Sequence, residues 1–307
     1  MKILMVTDLV KRFSLEVLSG HNQFHRVLKK TKVRRPGLEF MDKFDFIATE
    51  HIQILGKSEI NYLHTLQEEE CKLRIGNIIQ YDPPCIIITS NQEEPPGLIQ
   101  YCIENDIPLL RTPDSTSEVS AKLDAFVVKA MAPEISIHGV CVNVSGMGIL
   151  LRGKSGVGKS ETAHTLIGRG HRLVADDIVV LKKLSPQTLL GSHNEKNKEF
   201  LALRSIGLLN VVRLYGRTAF QEETRIALDI ELTKWESNTL NNELELETKF
   251  IDYMGVQIPH MQIQLQPGRD VAGLIEAAAN NWYLKQQGYS AAEEFVKRLE
   301  EEMDEEN

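Results

Sequence analysis

Eight residues constrain the middle of this chain more than any others: Gly153-Lys154-Ser155-Gly156-Val157-Gly158-Lys159-Ser160 is a complete phosphate-loop pattern, glycine-rich and closed by a lysine and a hydroxyl. Such a loop works only between a strand and a helix, because its N–H groups must converge on an anion beside a positive helix end. Both flanks are present. Met147-Gly148-Ile149-Leu150-Leu151 reads as a short buried strand, and Glu161-Thr162-Ala163-His164-Thr165-Leu166-Ile167 reads as a helix stopped by Gly168 and Gly170. The glycines permit backbone conformations closed to a side chain. Lys159 offers a mobile charge to terminal phosphates. Ser160 offers a hydroxyl to magnesium, an ion that takes most of its ligands from phosphate and water. The run Gly153 to Ser160 is the expected nucleotide-binding segment.

A chain of 307 residues, 42% hydrophobic and 25% charged, fits a soluble globular protein of two domains. Its net charge of -8 argues against nucleic acid or acidic membranes as partners, since neither polyanion is attracted over long range. The basic residues Lys29, Lys30, Lys32, Arg34 and Arg35 read as a solvated face. Cys71, Cys85, Cys102 and Cys141 are widely spaced and form no metal-type pair, which suits a reducing compartment. With no secretion-type apolar segment and no stretch of bilayer length, a cytoplasmic location is expected.

The first 120 residues alternate short apolar runs with polar helical stretches, the pattern of an α/β domain. Cys85-Ile86-Ile87-Ile88-Thr89 is a buried-strand candidate, Pro96 to Asn105 a helix and Ile107-Pro108-Leu109-Leu110 a second strand. Thr112 to Ser117 carries turn and helix-cap signals, and a connecting helix runs on to Met131. A boundary within Ser120 to Ala132 gives domains of 1–130 and 131–307. In the second, Ser136 to Val144 reads as one alternating strand. Arg172 to Leu181 reads as an apolar strand interrupted by Asp176 and Asp177. Alone, that pair would be a turn or a solvated strand end; after a phosphate loop, one carboxylate near the metal is expected. Gly191 to Lys198 reads as a mobile polar loop, Leu201 to Val212 as a strand holding Arg204, and Ala272 to Tyr283 and Ala291 to Met303 as helices.

Taken together, these segments resemble bacterial HPr kinase/phosphorylase, the HPr serine kinase family, over nearly the whole chain. The resemblance is carried by Ile137-His138-Gly139, by the loop with Glu161-Thr162-Ala163, and by Arg169 to Asp177. Arg35-Pro36-Gly37-Leu38, Ile52 to Gly56 with Glu59, and Pro267-Gly268-Arg269 add to it. It implies an α/β protein whose C-terminal P-loop kinase domain is related to phosphoenolpyruvate carboxykinase. It also implies magnesium-dependent phosphorylation of a serine in the phosphocarrier HPr by ATP or pyrophosphate, phosphorolysis of phosphoserine-HPr, a role in regulating carbon metabolism, and a homohexamer. On this chain Lys159 would stabilise the transferred phosphoryl group, Asp176 would take the serine proton and return it in reverse, and His138 would assist. Ser160 and Asp177 would hold magnesium.

Three departures bear on activity. Leu201-Ala202-Leu203-Arg204-Ser205-Ile206-Gly207 puts Ala202 where the resemblance implies a metal-binding glutamate, and Glu243 stands at the position of a catalytic arginine. Gln266 replaces a common basic residue before Pro267. The alternative expectation is a nucleotide-binding paralogue, weakly active or inactive, that regulates or scaffolds through protein contact.

Overall fold

The computed structural model describes residues 3–29, 33–37, 50–234, 248–266 and 268–305. Lys30, Lys32, Leu38, Glu243 and Pro267, all weighed above, lie outside the described residues. The chain separates into two compact units, residues 1–132 and 133–307.

The first unit holds α1 (Val6–Phe13), β1 (Glu16–Ser19), β2 (Val33–Arg34), β3 (Ile52–Leu55), α2 (Lys57–His64), α3 (Glu68–Ile79), β4 (Ile86–Ile88), α4 (Leu98–Glu104), β5 (Leu109–Arg111) and α5 (Thr116–Met131). The sheet order is β1-β5-β4-β3-β2, with β2 to β5 parallel and β1 antiparallel against β5. An uninterrupted Ile-Ile-Ile run suits a central parallel strand covered on both faces. In β4, Ile86 and Ile88 pack with residues of α2, α3 and α4, while Ile87 packs with residues of α1 and α5. All three are fully buried, each contributing about 1.5–3 kcal/mol of transfer free energy. Helix α5 starts at a capping box: the Ser115 hydroxyl accepts from Glu118 N–H and the Glu118 carboxylate accepts from Ser115 N–H.

The second unit holds β6 (Glu134–His138), β7 (Val140–Val144), β8 (Met147–Arg152), α6 (Lys159–Gly168), β9 (Arg172–Ala175), β10 (Ile178–Ser185), β11 (Thr188–His193), β12 (Phe200–Leu203), β13 (Gly207–Asn210), α7 (Val211–Tyr215), β14 (Glu223–Lys234), β15 (Lys249–Tyr253), β16 (Val256–Leu265), α8 (Val271–Gln286) and α9 (Ala291–Glu305). Its main sheet runs β6-β10-β11-β14-β8-β7-β9, with β16 also on β14 and β15 on β16. Strand β14 joins the parts, pairing antiparallel with β11 and parallel with β8 and β16. Leu228, Ile230 and Leu232 alternate onto the core under α6 and α8, whereas Ile226, of the same parity, joins Leu150, Val179 and Tyr253 on the other face because the register with β8 shifts between Ile226 and Leu228. Arg169, just past α6, donates to Asp270 and Glu276, and His171 pairs with Glu276 at 2.8 Å, so the end of α6 is tied to the start of α8.

Four sequence expectations are corrected. The strand expected over Ser136–Val144 is two strands, because the chain changes partner at Gly139: β6 pairs with β10 and β7 with β8. A side chain at Gly139 would meet the Leu151 carbonyl at 2.9 Å. The strand expected over Arg172–Leu181 breaks at the aspartate pair, where Asp177 has a left-handed φ of 66°. Leu201–Val212 is a hairpin followed by a helix, with Arg204 in its turn. Gly191–Lys198 is the end of β11 followed by a 3-10 turn over Glu195–Asn197.

Candidate active site

The phosphate loop leaves β8 after Arg152 and enters α6 at Lys159. Gly153 has φ 138°, and a side chain there would lie 2.3 Å from the Leu232 carbonyl of β14. Gly156 has φ 77°, and a methyl there would collide with the Arg204 guanidinium at 1.8 Å. The loop thus fits between β14 below and an arginine above. Val157 is sunk into the core as its anchor. Lys159 Nζ donates to the carbonyls of Gly153 (3.0 Å) and Lys154 (3.3 Å), curling over its own loop.

Asp176 and Asp177 occupy the turn between β9 and β10, and the turn gives them opposite surroundings. Asp176 is 4% exposed. Its Oδ1 accepts from Ser160 Oγ at 2.8 Å and its Oδ2 from Ala202 N–H at 2.9 Å. Burial pushes its carboxyl pKa up, opposed by the bonds from Ala202 and Ser160. Asp177 is exposed, with Oδ1 3.7 Å from Nδ1 of a still more open His138. The carbonyl of Asp177 accepts from Gly139 N–H, which holds the turn against the break between β6 and β7.

A cavity of about 460 Å³ brings these groups together: Ser155, Gly156, Gly158, Lys159, Ser160 and Glu161 from the loop and α6, Asp176 and Asp177 from the turn, and Ala202, Arg204 and Leu208 from the β12–β13 hairpin. Val140, Lys196, Asn197 and Phe200 complete the lining. Among the expected site residues, Gly153, Lys154 and Val157 shape the loop without lining the cavity, and His138 stands beside Asp177 at its edge. Gly268 and Arg269 do not line it; Arg269 N–H closes a turn on Gln266.

The donor set fits magnesium carried in with phosphate. Ser160 presents a hydroxyl bonded to Asp176, and Asp177 and Glu161 line the same cavity, but Ala202 presents only a methyl. Among the described residues no three carboxylate, imidazole or thiolate groups gather as a metal site. An ion that keeps its phosphate oxygens and waters needs no more.

Sequence reading missed the support beneath the loop. Asp229 of β14 is fully buried and accepts from Arg152 (2.6 and 2.8 Å), Tyr253 Oη (2.8 Å) and His260 Nδ1 (2.6 Å). These bonds raise the Arg152 pKa further; burial and the Asp229 charge raise that of Tyr253. The visible signal was one aspartate inside the apolar run Ile226-Ala227-Leu228-Asp229-Ile230. Arg152 directly precedes Gly153, so this cluster fixes the strand end from which the phosphate loop springs.

Comparison with known proteins gives the family. Residues 4–127 match the HPr Serine kinase N terminus model and residues 129–299 the HPr Serine kinase C-terminal domain model. The chain is 63% identical to the Oceanobacillus iheyensis protein named "Putative HPr kinase/phosphorylase 2", over 98% of both chains. It is 39% identical to the HPr kinase/phosphorylase of Bacillus licheniformis, over 95% of this chain and 94% of that one. A solved HPr(Ser) kinase/phosphatase of Coxiella burnetii aligns at 31% identity and a TM-score of 0.47, covering 52% of this chain and 98% of that one. Over both of its units, this chain belongs to the HPr serine kinase family.

Proposed function

We propose that this chain transfers a phosphoryl group from ATP or pyrophosphate to a serine of HPr, and that it also runs the reverse phosphorolysis, in which phosphate attacks phosphoserine-HPr and pyrophosphate leaves. HPr as substrate follows from the names of the relatives; the chemistry rests on one observation. The two aspartates share a turn, yet Asp176 is buried with both oxygens engaged while Asp177 is open beside His138.

That contrast supports a division of roles other than the sequence expectation. Asp176 orients the Ser160 hydroxyl and fixes the hairpin through Ala202 N–H. Asp177 takes the serine proton as the serine oxygen attacks the terminal phosphorus, and the bond from that phosphorus to the leaving phosphate oxygen breaks. In reverse, Asp177 returns the proton to the serine oxygen. Its neighbour His138 tunes and orients it. Lys159 exchanges its loop carbonyls for phosphate oxygens, and Arg204 bears on the charge above Gly156. Magnesium, held through Ser160, neutralises charge on the phosphate oxygens when bound. Gly268 and Arg269 lie outside the cavity and would meet the protein substrate. A cytoplasmic homohexamer acting in control of carbon metabolism completes the reading.

The test is transfer of labelled phosphate from magnesium-ATP to HPr by the wild type and by Lys159→Ala and Ala202→Glu. We expect serine labelling that falls about 100-fold or more in Lys159→Ala. Ala202 lines the cavity without a donor side chain, and that observation favours a second reading, a nucleotide-binding paralogue with little transfer. ATP binding without labelling of HPr, and labelling restored by Ala202→Glu with Glu243→Arg, would establish it.

A further inference from the structure

The 3-10 turn after β11 is a built element. Asn194 Oδ1 accepts from Lys196 N–H at 3.0 Å, and Asn194 O accepts from Asn197 N–H at 3.0 Å. Both ends of the turn are pinned. On one side His193, 8% exposed and paired with Val179 in the sheet, bonds Glu222 at 2.8 Å. On the other, Lys198 binds Glu222 at 2.8 Å, and Arg217 binds Glu222 and Glu199 at 3.1 and 3.2 Å. Beyond the turn the chain enters β12, where Phe200 pairs with Asn210. The basic residues here divide cleanly. Lys198 and Arg217 are neutralised by carboxylates, whereas Lys196, at the centre of the turn, lines the catalytic cavity and forms no ion pair among the described residues. Within the same cavity Arg204 is likewise without an ion pair among the described residues, and Lys159 is bonded only to its own loop.

A fixed turn that presents an ammonium with no ion pair among the described residues, in one cavity with Lys159 and Arg204, suits the phosphates of a donor, while Glu161, Asp176 and Asp177 of the same lining suit the cation that accompanies them. We infer that Lys196 is a phosphate-contacting residue of this site: its ammonium binds the terminal phosphates of the donor from an element separate from the phosphate loop. The inference rests on the reading of the loop as the donor site. It extends that reading by assigning donor affinity to a segment outside the loop and the aspartate turn.

Calorimetric titration of the full chain with magnesium pyrophosphate tests it, comparing wild type with Lys196→Gln, Lys196→Arg and Lys182→Gln. Lys182 pairs with Glu134 away from the cavity, so its variant removes an equal charge elsewhere. Lys196→Gln is expected to weaken binding about tenfold and to flatten its salt dependence. Lys196→Arg should recover most of the affinity, and Lys182→Gln should bind as wild type does. Equal affinity in wild type and Lys196→Gln overturns the assignment, as does an equal loss in Lys182→Gln, or no pyrophosphate binding by the wild type. Labelling of HPr is scored in parallel. Lys196-dependent pyrophosphate binding without any labelling of HPr would sink the proposed reaction and leave the Lys196 assignment standing.

Discussion

Replacing Asp229 with asparagine removes one charge from a group that no solvent reaches, and the cost can be worked from its partners. Four donor atoms converge on the carboxylate: two from Arg152, one from Tyr253 and one from His260. Asparagine keeps the shape but must turn an NH2 toward one of those donors, and it leaves the guanidinium without its counter-charge. Breaking a buried ion pair by removing one partner costs about 3–5 kcal/mol. The Arg152 side chain is 24% exposed, so water reclaims part of its charge and the lower end of that range applies. One unsatisfied donor adds about 1 kcal/mol, giving about 4 kcal/mol in total. Trp282 lies in α8, so its fluorescence in urea follows the second unit. At a slope of about 2 kcal/mol/M, the unfolding midpoint should fall by about 2 M. Tyr253→Phe, which takes away one donor and leaves the charge paired, should cost about 1 kcal/mol. A shift under about 0.5 M for Asp229→Asn with an unchanged slope would refute the view that this cluster carries the strand beneath the phosphate loop.

Three further outcomes are expected. Burial raises the folded-state pKa of Asp176, so its contribution to stability is present below the ordinary aspartate range near about 4 and is lost as pH rises through the raised value. Asp176→Asn, which can still accept from Ala202 N–H and bond Ser160, should therefore resist urea better than wild type at pH 7. The gap should close at low pH while phosphoryl transfer is lost, and a less stable variant at pH 7 would count against this. Glu222 is held down to about 2, chiefly by Lys198 and then by His193 and Arg217, so its contribution is present above about 4.3 and lost as pH falls through that lowered value. It is about half exposed, so Glu222→Gln should cost no more than about 1 kcal/mol at pH 7, fading in acid; an undiminished difference at pH 2 would contradict the assignment. All four cysteines are buried, and burial pushes the thiols of Cys85, Cys102 and Cys141 up to about 12 and raises Cys71. A thiol reagent at pH 8 should label none in the native protein and four after denaturation; rapid native labelling would contradict the packing.

The fold and site were legible in the sequence wherever short-range chemistry decides the outcome. The phosphate loop needs only its own glycines and flanks, and Ser115 with Glu118 is a helix start written in four residues. Hydrophobic runs also located β4, α5 and α8. What was lost is what depends on contacts far apart along the chain. An apolar run does not say where a strand changes partner, so the break at Gly139 was invisible, and the interruption at Asp176-Asp177 was visible without the change of strand it makes. The distinct surroundings of the two aspartates arise from Ser160 and from Ala202, 26 residues from Asp176, and no local pattern records them. Lys196 was hidden for a similar reason: its segment is polar enough to pass for a loose loop, and the residue that pins it, Glu222, lies far along the chain.

The bond from Asp176 to position 202 runs to the backbone N–H and not to the side chain. Any residue except proline supplies that N–H. Mutation at this position can therefore change the cavity's charge and metal affinity while the hairpin stays anchored and the chain still folds. Architecture and chemistry are separable at this position, so a charged side chain can be exchanged for a neutral one, or the reverse, without passing through an unfolded intermediate.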